Sequence, residues 1–252
     1  CLYMTGAGTS AARGFPDLGL LTMTEMVDNA ATMARSVSIP LIADADTGYG
    51  NELNVTRTVR EFEARNVAAI HIEDQVFTKR CGHLDDKEVI TSNDYVAKIR
   101  AAVAARRDPD FMIIARTDAR AMHGLDEAID RANAALKAGA DMAFVEAPQS
   151  LSEMAEVPRR VQGPCLLNMV PGGRTPIISA AQAQEMGYRL MIMPGALLSR
   201  MLLAGDLALQ RIKEQGGPEK PADNEDVRDF FRRFGSDEWN ELRHRFQSLP
   251  EE

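Results

Sequence analysis

The chain has 252 residues, 45% of them hydrophobic, enough to bury a substantial core in either a single α/β barrel or two domains. Lys and Arg number 29 against 37 Asp and Glu, and the net charge of −8 disfavours nucleic acid or an anionic membrane as a general partner. The cysteines Cys1, Cys81 and Cys165 have no C-x-x-C spacing, which excludes a disulfide framework or structural zinc and fits a reducing cytoplasm; no apolar run approaches the ~18 residues of a membrane span.

A β-rich run over 1–5 leads into Thr5-Gly6-Ala7-Gly8, small residues whose amides could bind an anion, although a glycine-rich turn is more often only a turn. The next run, 40–43, ends in Asp44-Ala45-Asp46-Thr47-Gly48-Tyr49-Gly50. Two hard oxygen ligands there suit Mg²⁺ or Mn²⁺, with Glu73, the adjacent Asp74 and the distant Asp17 reaching the ion through water. A helical pattern over 54–65 precedes the run 68–72 and Glu73, and His71 reads as a buried residue orienting that carboxylate.

Six residues after Glu73 begins Lys79-Arg80-Cys81-Gly82-His83. Cations beside a thiol favour its thiolate and fit it for proton exchange near neutral pH; the bland alternative is a basic loop with an incidental cysteine.

Helical and β-rich segments then alternate: helix over 92–106, strand over 111–115, helix over 125–138, strand over 142–145, strand over 165–169, helix over 180–186 and strand over 189–193. Arg116, Glu146 and Asn168 stand at strand ends; Arg116 either meets a substrate carboxylate or is buried in an ion pair with Asp118 or Glu146. Repeated βα units demand a parallel sheet, and polar strand ends on five strands favour a closed (β/α)₈ barrel with one mouth over an open sheet. Seven strands are counted where a barrel has eight, so a first βα unit is expected to be missing before Cys1.

The catalytic barrel is expected over 1–213, a Gly/Pro linker over 214–226 and a helical extension over 227–252, whose Phe230, Phe231, Phe234, Trp239 and Phe246 must bury against the barrel or a neighbouring subunit.

Taken together, Asp44-Ala45-Asp46, His71-Ile72-Glu73-Asp74-Gln75, 79–83, Ala115-Arg116-Thr117-Asp118, Glu146-Ala147-Pro148 and Asn168 resemble the isocitrate lyase and phosphoenolpyruvate mutase superfamily. The resemblance implies a (β/α)₈ barrel whose last helix is exchanged between subunits of a tetramer, a dimer of dimers. It implies Mg²⁺ held by Asp44 and Asp46, with Glu73 and Asp17 in its water shell, and Thr5, Gly6, Ala7 and Arg116 on a keto acid. Glu146 and Asn168 would add to substrate binding. Cys81 would be the catalytic acid on a mobile loop, tuned by His83, Lys79 and Arg80, with the initial base left among Tyr3, Glu146 and a water on the metal.

The Cys81 motif resembles the superfamily's carbon–carbon lyases and not its phosphonate-forming mutases. Within the lyases, the likeness is to those acting on 2,3-dimethylmalate or 2-methylisocitrate, and Val170, where the latter carry a polar residue, speaks for the former. The expected reaction is Mg²⁺-dependent cleavage of a small 2-hydroxy dicarboxylate to pyruvate and a carboxylic acid. Alternatives are an oxaloacetate hydrolase or decarboxylase, which would carry serine at Pro194, a phosphoenolpyruvate or phosphonopyruvate mutase, and a non-catalytic, metal-binding assembly module.

Overall fold

The computed structural model describes residues 1–77, 79–84, 86–218 and 226–247, so most of the expected linker, 219–225, lies outside the described residues. Seven parallel strands form one sheet in sequential order: β1 Leu2–Met4, β2 Leu41–Asp44, β3 Ala69–Glu73, β4 Met112–Thr117, β5 Met142–Val145, β6 Cys165–Asn168 and β7 Leu190–Ile192. This is a TIM-type barrel one strand short of eight. β1 and β7 stand at the two ends of the strand order.

The crossovers include α1 Gly6–Ala12, α2 Met23–Arg35, α3 Glu52–Glu63, α4 Ser92–Ala105, α5 Arg120–Lys137, α6 Leu151–Arg160 and α7 Ala180–Met186. Thr22 and Glu25 cap α2 reciprocally, as Asn51 and Asn54 cap α3. α5 breaks at Gly124 (φ 85°), which is why its regular helical pattern starts at Leu125. Gly6-Ala7-Gly8, read from sequence as a turn, is instead the first turn of α1 behind an extended Thr5.

Alternation along the strands separates two environments. Ile70, Ile72 and Ile113 point outward into the helix layer with Val55, Val59 and Phe62 of α3. Ile42, Ala69, Ile114, Phe144, Leu166 and Ile192 point inward and plug the barrel. Asp44, His71, Glu73, Arg116, Glu146 and Asn168 share that inward parity toward the C-terminal ends of their strands, so the polar ring sits on an apolar floor.

The chain divides into two compact units, Cys1–Ser199 and Arg200–Glu252. The second unit contains most of α8 Leu198–Gln215, then α9 Val227–Arg232 and α10 Ser236–Gln247. Its Phe230, Phe234, Trp239 and Phe246 are exposed, with Phe230 packed against Phe231 and Phe234. Among the described residues no helix is long and apolar enough to cross a membrane.

At the start of α6, Glu153 receives two hydrogen bonds from Arg120 (2.9 and 2.5 Å) and one from the Gln149 amide. The Arg120 bonds, foremost, hold its carboxyl below the ordinary Glu value. A depressed carboxyl stabilises the fold above its unfolded-state pKa and loses that contribution as pH falls through the folded value. Glu153→Gln is therefore expected to lower stability by about 1 kcal/mol or less at pH 7, with the difference from the parent vanishing in acid. Urea unfolding at pH 7 and pH 3 measures it.

Candidate active site

At the C-terminal mouth lies a cavity of about 140 Å³. Tyr3, Thr5, Ala7, Gly8, Asp17, Asp44, Lys79, Cys81, Gly82, His83, Arg116, Glu146 and Asn168 line it, with Val170, Pro194, Gly195 and Leu198 as an apolar wall. Gly6, Asp46 and Glu73 stand behind the lining: the Gly6 amide donates to Asp44 Oδ2 (3.0 Å), Asp46 meets Lys79 and Glu73 meets Arg116. Arg80 is exposed on a separate crevice with Phe77 and Asp86, away from the chemistry expected of it.

Strand register explains these partnerships. Glu73 pairs with Arg116 across β3 and β4, and the guanidinium Nη1 lies 3.2 Å from Glu73 Oε2. Arg116 also donates to both oxygens of Asp118 (2.9 and 3.1 Å), approaches Glu146 at 3.7 Å and stacks over Phe144. The ion pair and the cavity-facing position expected as alternatives for Arg116 thus coexist. Burial works against the charge, but Asp118, Glu73 and Glu146 outweigh it and raise the Arg116 pKa well above its ordinary value.

Asp44 pairs with His71 across β2 and β3, so the imidazole serves Asp44 and not Glu73. His71 Nε2 is 3.5 Å from Asp44 Oδ1 and 2.7 Å from the Tyr3 hydroxyl, and burial lowers the His71 pKa to about 4, leaving it neutral. Asp74, on the opposite parity, turns away from the mouth to Thr117, the Asp118 amide and Arg131.

The thiol loop departs most from the sequence expectation. Lys79 is buried with its ammonium 2.6 Å from Asp17 and 2.9 Å from Asp46, so its charge is spent on carboxylates. His83, whose pKa burial lowers, accepts from the Arg174 amide at Nδ1 and lies 3.4 Å from Glu146. With Arg80 outside, the thiol is not set among free cations. Burial raises the Cys81 pKa, aided by Asp17 and Glu146 and opposed by the His83 amide and Arg116. The resting group is a protonated thiol, suited to giving a proton and not to acting as a ready nucleophile.

Gly82 permits this closure. A Cβ there would stand 2.3 Å from Glu146 Oε1 and 2.5 Å from Arg116 Nη2, so a side chain would push the loop off the ring. Asp46 and Ala147, just beyond their strands, take left-handed backbone (φ 47° and 54°), a strain concentrated at this mouth.

Among the described residues no three His, Cys, Asp or Glu side chains form a ready metal cage. The donor chemistry nonetheless fits a hard divalent cation that keeps waters. Glu73 Oε1 is buried without a hydrogen bond or ion pair, while Asp46 Oδ1 and Glu73 Oε2 are buried with only Lys79 and Arg116 beside them. Burial, with Asp44 adding to it, raises Asp46 to about 6, and burial holds Glu73 well above its ordinary value. Carboxylates in that condition mark a site short of positive charge.

The family model described as phosphoenolpyruvate phosphomutase matches residues 1–213. Over 196 residues the chain is 50% identical to 2,3-dimethylmalate lyase of Eubacterium barkeri, covering 77% of this chain and 68% of that protein. The chain belongs to the phosphoenolpyruvate mutase and isocitrate lyase superfamily. It is 46% identical to the 2-methylisocitrate lyase of Aeropyrum pernix over 85% of this chain and 69% of that one. A solved oxaloacetate acetylhydrolase bound to 3,3-difluorooxalacetate superposes with a TM-score of 0.93 at 40% identity, covering 99% of this chain and 86% of the other. Within the superfamily this chain is a carbon–carbon lyase, which sets aside the non-catalytic module weighed from sequence.

Val170, Pro194, Gly195 and Leu198 join the cavity through loops after β6 and β7, and only Val170 and Pro194 drew attention in the sequence, by comparison with relatives. Because Arg116 neutralises buried Glu73, Asp118 and Glu146, Arg116→Met should cost about 3–5 kcal/mol of folding stability. Guanidinium-chloride unfolding at neutral pH checks this, and a loss below ~1 kcal/mol would contradict the charge balance described.

Proposed function

We propose that this lyase cleaves the C2–C3 bond of a 2-hydroxy dicarboxylate of the 2,3-dimethylmalate type, releasing pyruvate and a carboxylic acid. The observation that carries the reading is a protonated Cys81 thiol sharing one small cavity with Asp44, Arg116 and the apolar wall of Val170, Pro194 and Leu198. The wall suits methyl substituents, and a third carboxylate, as in a tricarboxylate, would lie against it unpaired. Likeness to the 2,3-dimethylmalate lyase supports the same choice.

Asp44 and Asp46 would hold Mg²⁺ or Mn²⁺, with Glu73 and Asp17 reached through water, and the ion would supply a Lewis acid for negative charge on substrate oxygen. Arg116 and Asn168 bind the carboxylate of the keto-acid half, with Thr5 and Ala7 beside them. Tyr3 is a poor base, since burial and Asp44 hold its phenol well above the ordinary value, so we assign the hydroxyl proton to Glu146. As the C2–O bond becomes a carbonyl, the C2–C3 electron pair passes to C3 and delocalises into its carboxylate. The Cys81 S–H then protonates C3, the His83 amide stabilises the thiolate left behind, and solvent returns the proton from Glu146 to sulfur.

Pyruvate release from 2,3-dimethylmalate, with 2-methylisocitrate and oxaloacetate in parallel, is expected to favour 2,3-dimethylmalate and to stop when EDTA removes the metal. Cys81→Ala should lower kcat by about 10²-fold or more while Mg²⁺ plus oxalate still raises the melting temperature. Unaltered turnover in that variant would end the proton-donor role. A second reading, oxaloacetate hydrolysis, is favoured by the likeness to the acetylhydrolase; consumption of oxaloacetate with silence on both hydroxy acids would select it.

The exposed aromatic residues of Arg200–Glu252 support assembly, and we read the enzyme as a cytoplasmic tetramer, a dimer of dimers with exchanged C-terminal helices. Light scattering should give four times the 27.7 kDa chain mass, falling when Phe230 and Phe234 are changed to Ser.

A further inference from the structure

Cys81 itself has few anchors, and the residues on each side of it are held by two buried side chains that do not line the cavity. Before it, Gln75 grips the Arg80 backbone twice: Nε2 donates to the Arg80 carbonyl and Oε1 accepts from the Arg80 amide, each at 2.8 Å. After it, the Lys87 ammonium donates to the Gly82 carbonyl. Gln75 is 1% and Lys87 6% exposed, unusual burial for an amide and an ammonium on a loop. Neither is at liberty to act elsewhere.

Both side chains reach the same third group. Lys87 Nζ lies 3.7 Å from Asp118 Oδ1, and Gln75 is close enough to the Asp118 carboxylate to help hold its pKa down. Asp118 is the bidentate partner of Arg116 and is fixed by the Asp74 carboxylate, which accepts from the Asp118 amide. The base of the loop is stitched as well: Val76 donates to the Glu88 carbonyl and Ile90 to the Asp74 carbonyl, with Gln75 bridging antiparallel to Val89. Gln75 and Lys87 therefore stand on adjacent backbone segments, one serving each side of the thiol.

We propose that Gln75 and Lys87 are positioning residues that clamp the backbone on both sides of Cys81 to the Asp118–Arg116 pair, so that the thiol is placed by the same ion pair that meets the substrate carboxylate. An amide and an ammonium this deeply buried are costly unless their hydrogen bonds are made. The clamp explains why a loop lacking regular structure holds Gly82 against Arg116 and Glu146. The inference deepens the proton-donor reading, yet its test needs no substrate and fails independently of that reading.

The test is the rate of Cys81 alkylation by iodoacetamide in the full chain, resolved by peptide mass spectrometry, with buried Cys165 as internal control for global opening. Lys87→Met and, separately, Gln75→Met should each raise the Cys81 rate about tenfold or more, the change expected from losing at least one such hydrogen bond, with Cys165 unchanged. Lys87→Arg, which keeps the cation and donor, should return most of the protection. In turnover, kcat should fall with little change in oxalate affinity. A variant whose Cys81 rate stays within about twofold of the parent removes that residue from the clamp, and parallel rises at Cys81 and Cys165 would show general loosening and overturn the proposal.

Discussion

The Arg116 guanidinium is the constraint on which the mouth of the barrel depends. It stands among Glu73, Asp118 and Glu146, all buried, and over the ring of Phe144. Its charge offsets what water no longer can, because carboxylates at such depth are ionised only beside a cation. Lys79 does the same for Asp17 and Asp46 on the other side of the cavity. Even so burial prevails at Asp46 and Glu73, whose values are raised by loss of water first and by neighbouring carboxylates second.

The same electrostatics decide what Cys81 is. A thiol among free cations favours its thiolate; one that is half-buried, with its neighbouring cations committed to carboxylates, keeps its proton. The proton-donor role proposed for Cys81 needs the second kind. Gly82 lets the thiol loop close onto the ring, since any side chain there would meet Glu146 and Arg116.

Most of the architecture was legible because the strands are short, apolar and end in polar residues of one parity: Ile42 with Asp44, Phe144 with Glu146, Leu166 with Asn168. α2 escaped notice although Thr22 and Glu25 spell a capping box, and α1 read as a turn because Gly6 and Gly8 are poor helix formers held helical by tertiary packing. The inward-facing part of the site followed from strand ends, but its charge pairing did not. Spacing cannot tell that Lys79 reaches back to Asp17 across the chain, that Arg80 faces solvent, or that His71 serves the neighbouring strand's Asp44. Gln75 and Lys87 act on loop backbone, and contacts of that kind leave no periodicity to read.

The two strands at the ends of the sheet order have a consequence for local stability. Leu190–Ile192 and Leu2–Met4 are the shortest strands in the sheet, three residues each, against six in β4. Each adds only a brief ladder to its neighbour, so the sheet is held most firmly through its middle strands and fluctuation is expected to begin from these two.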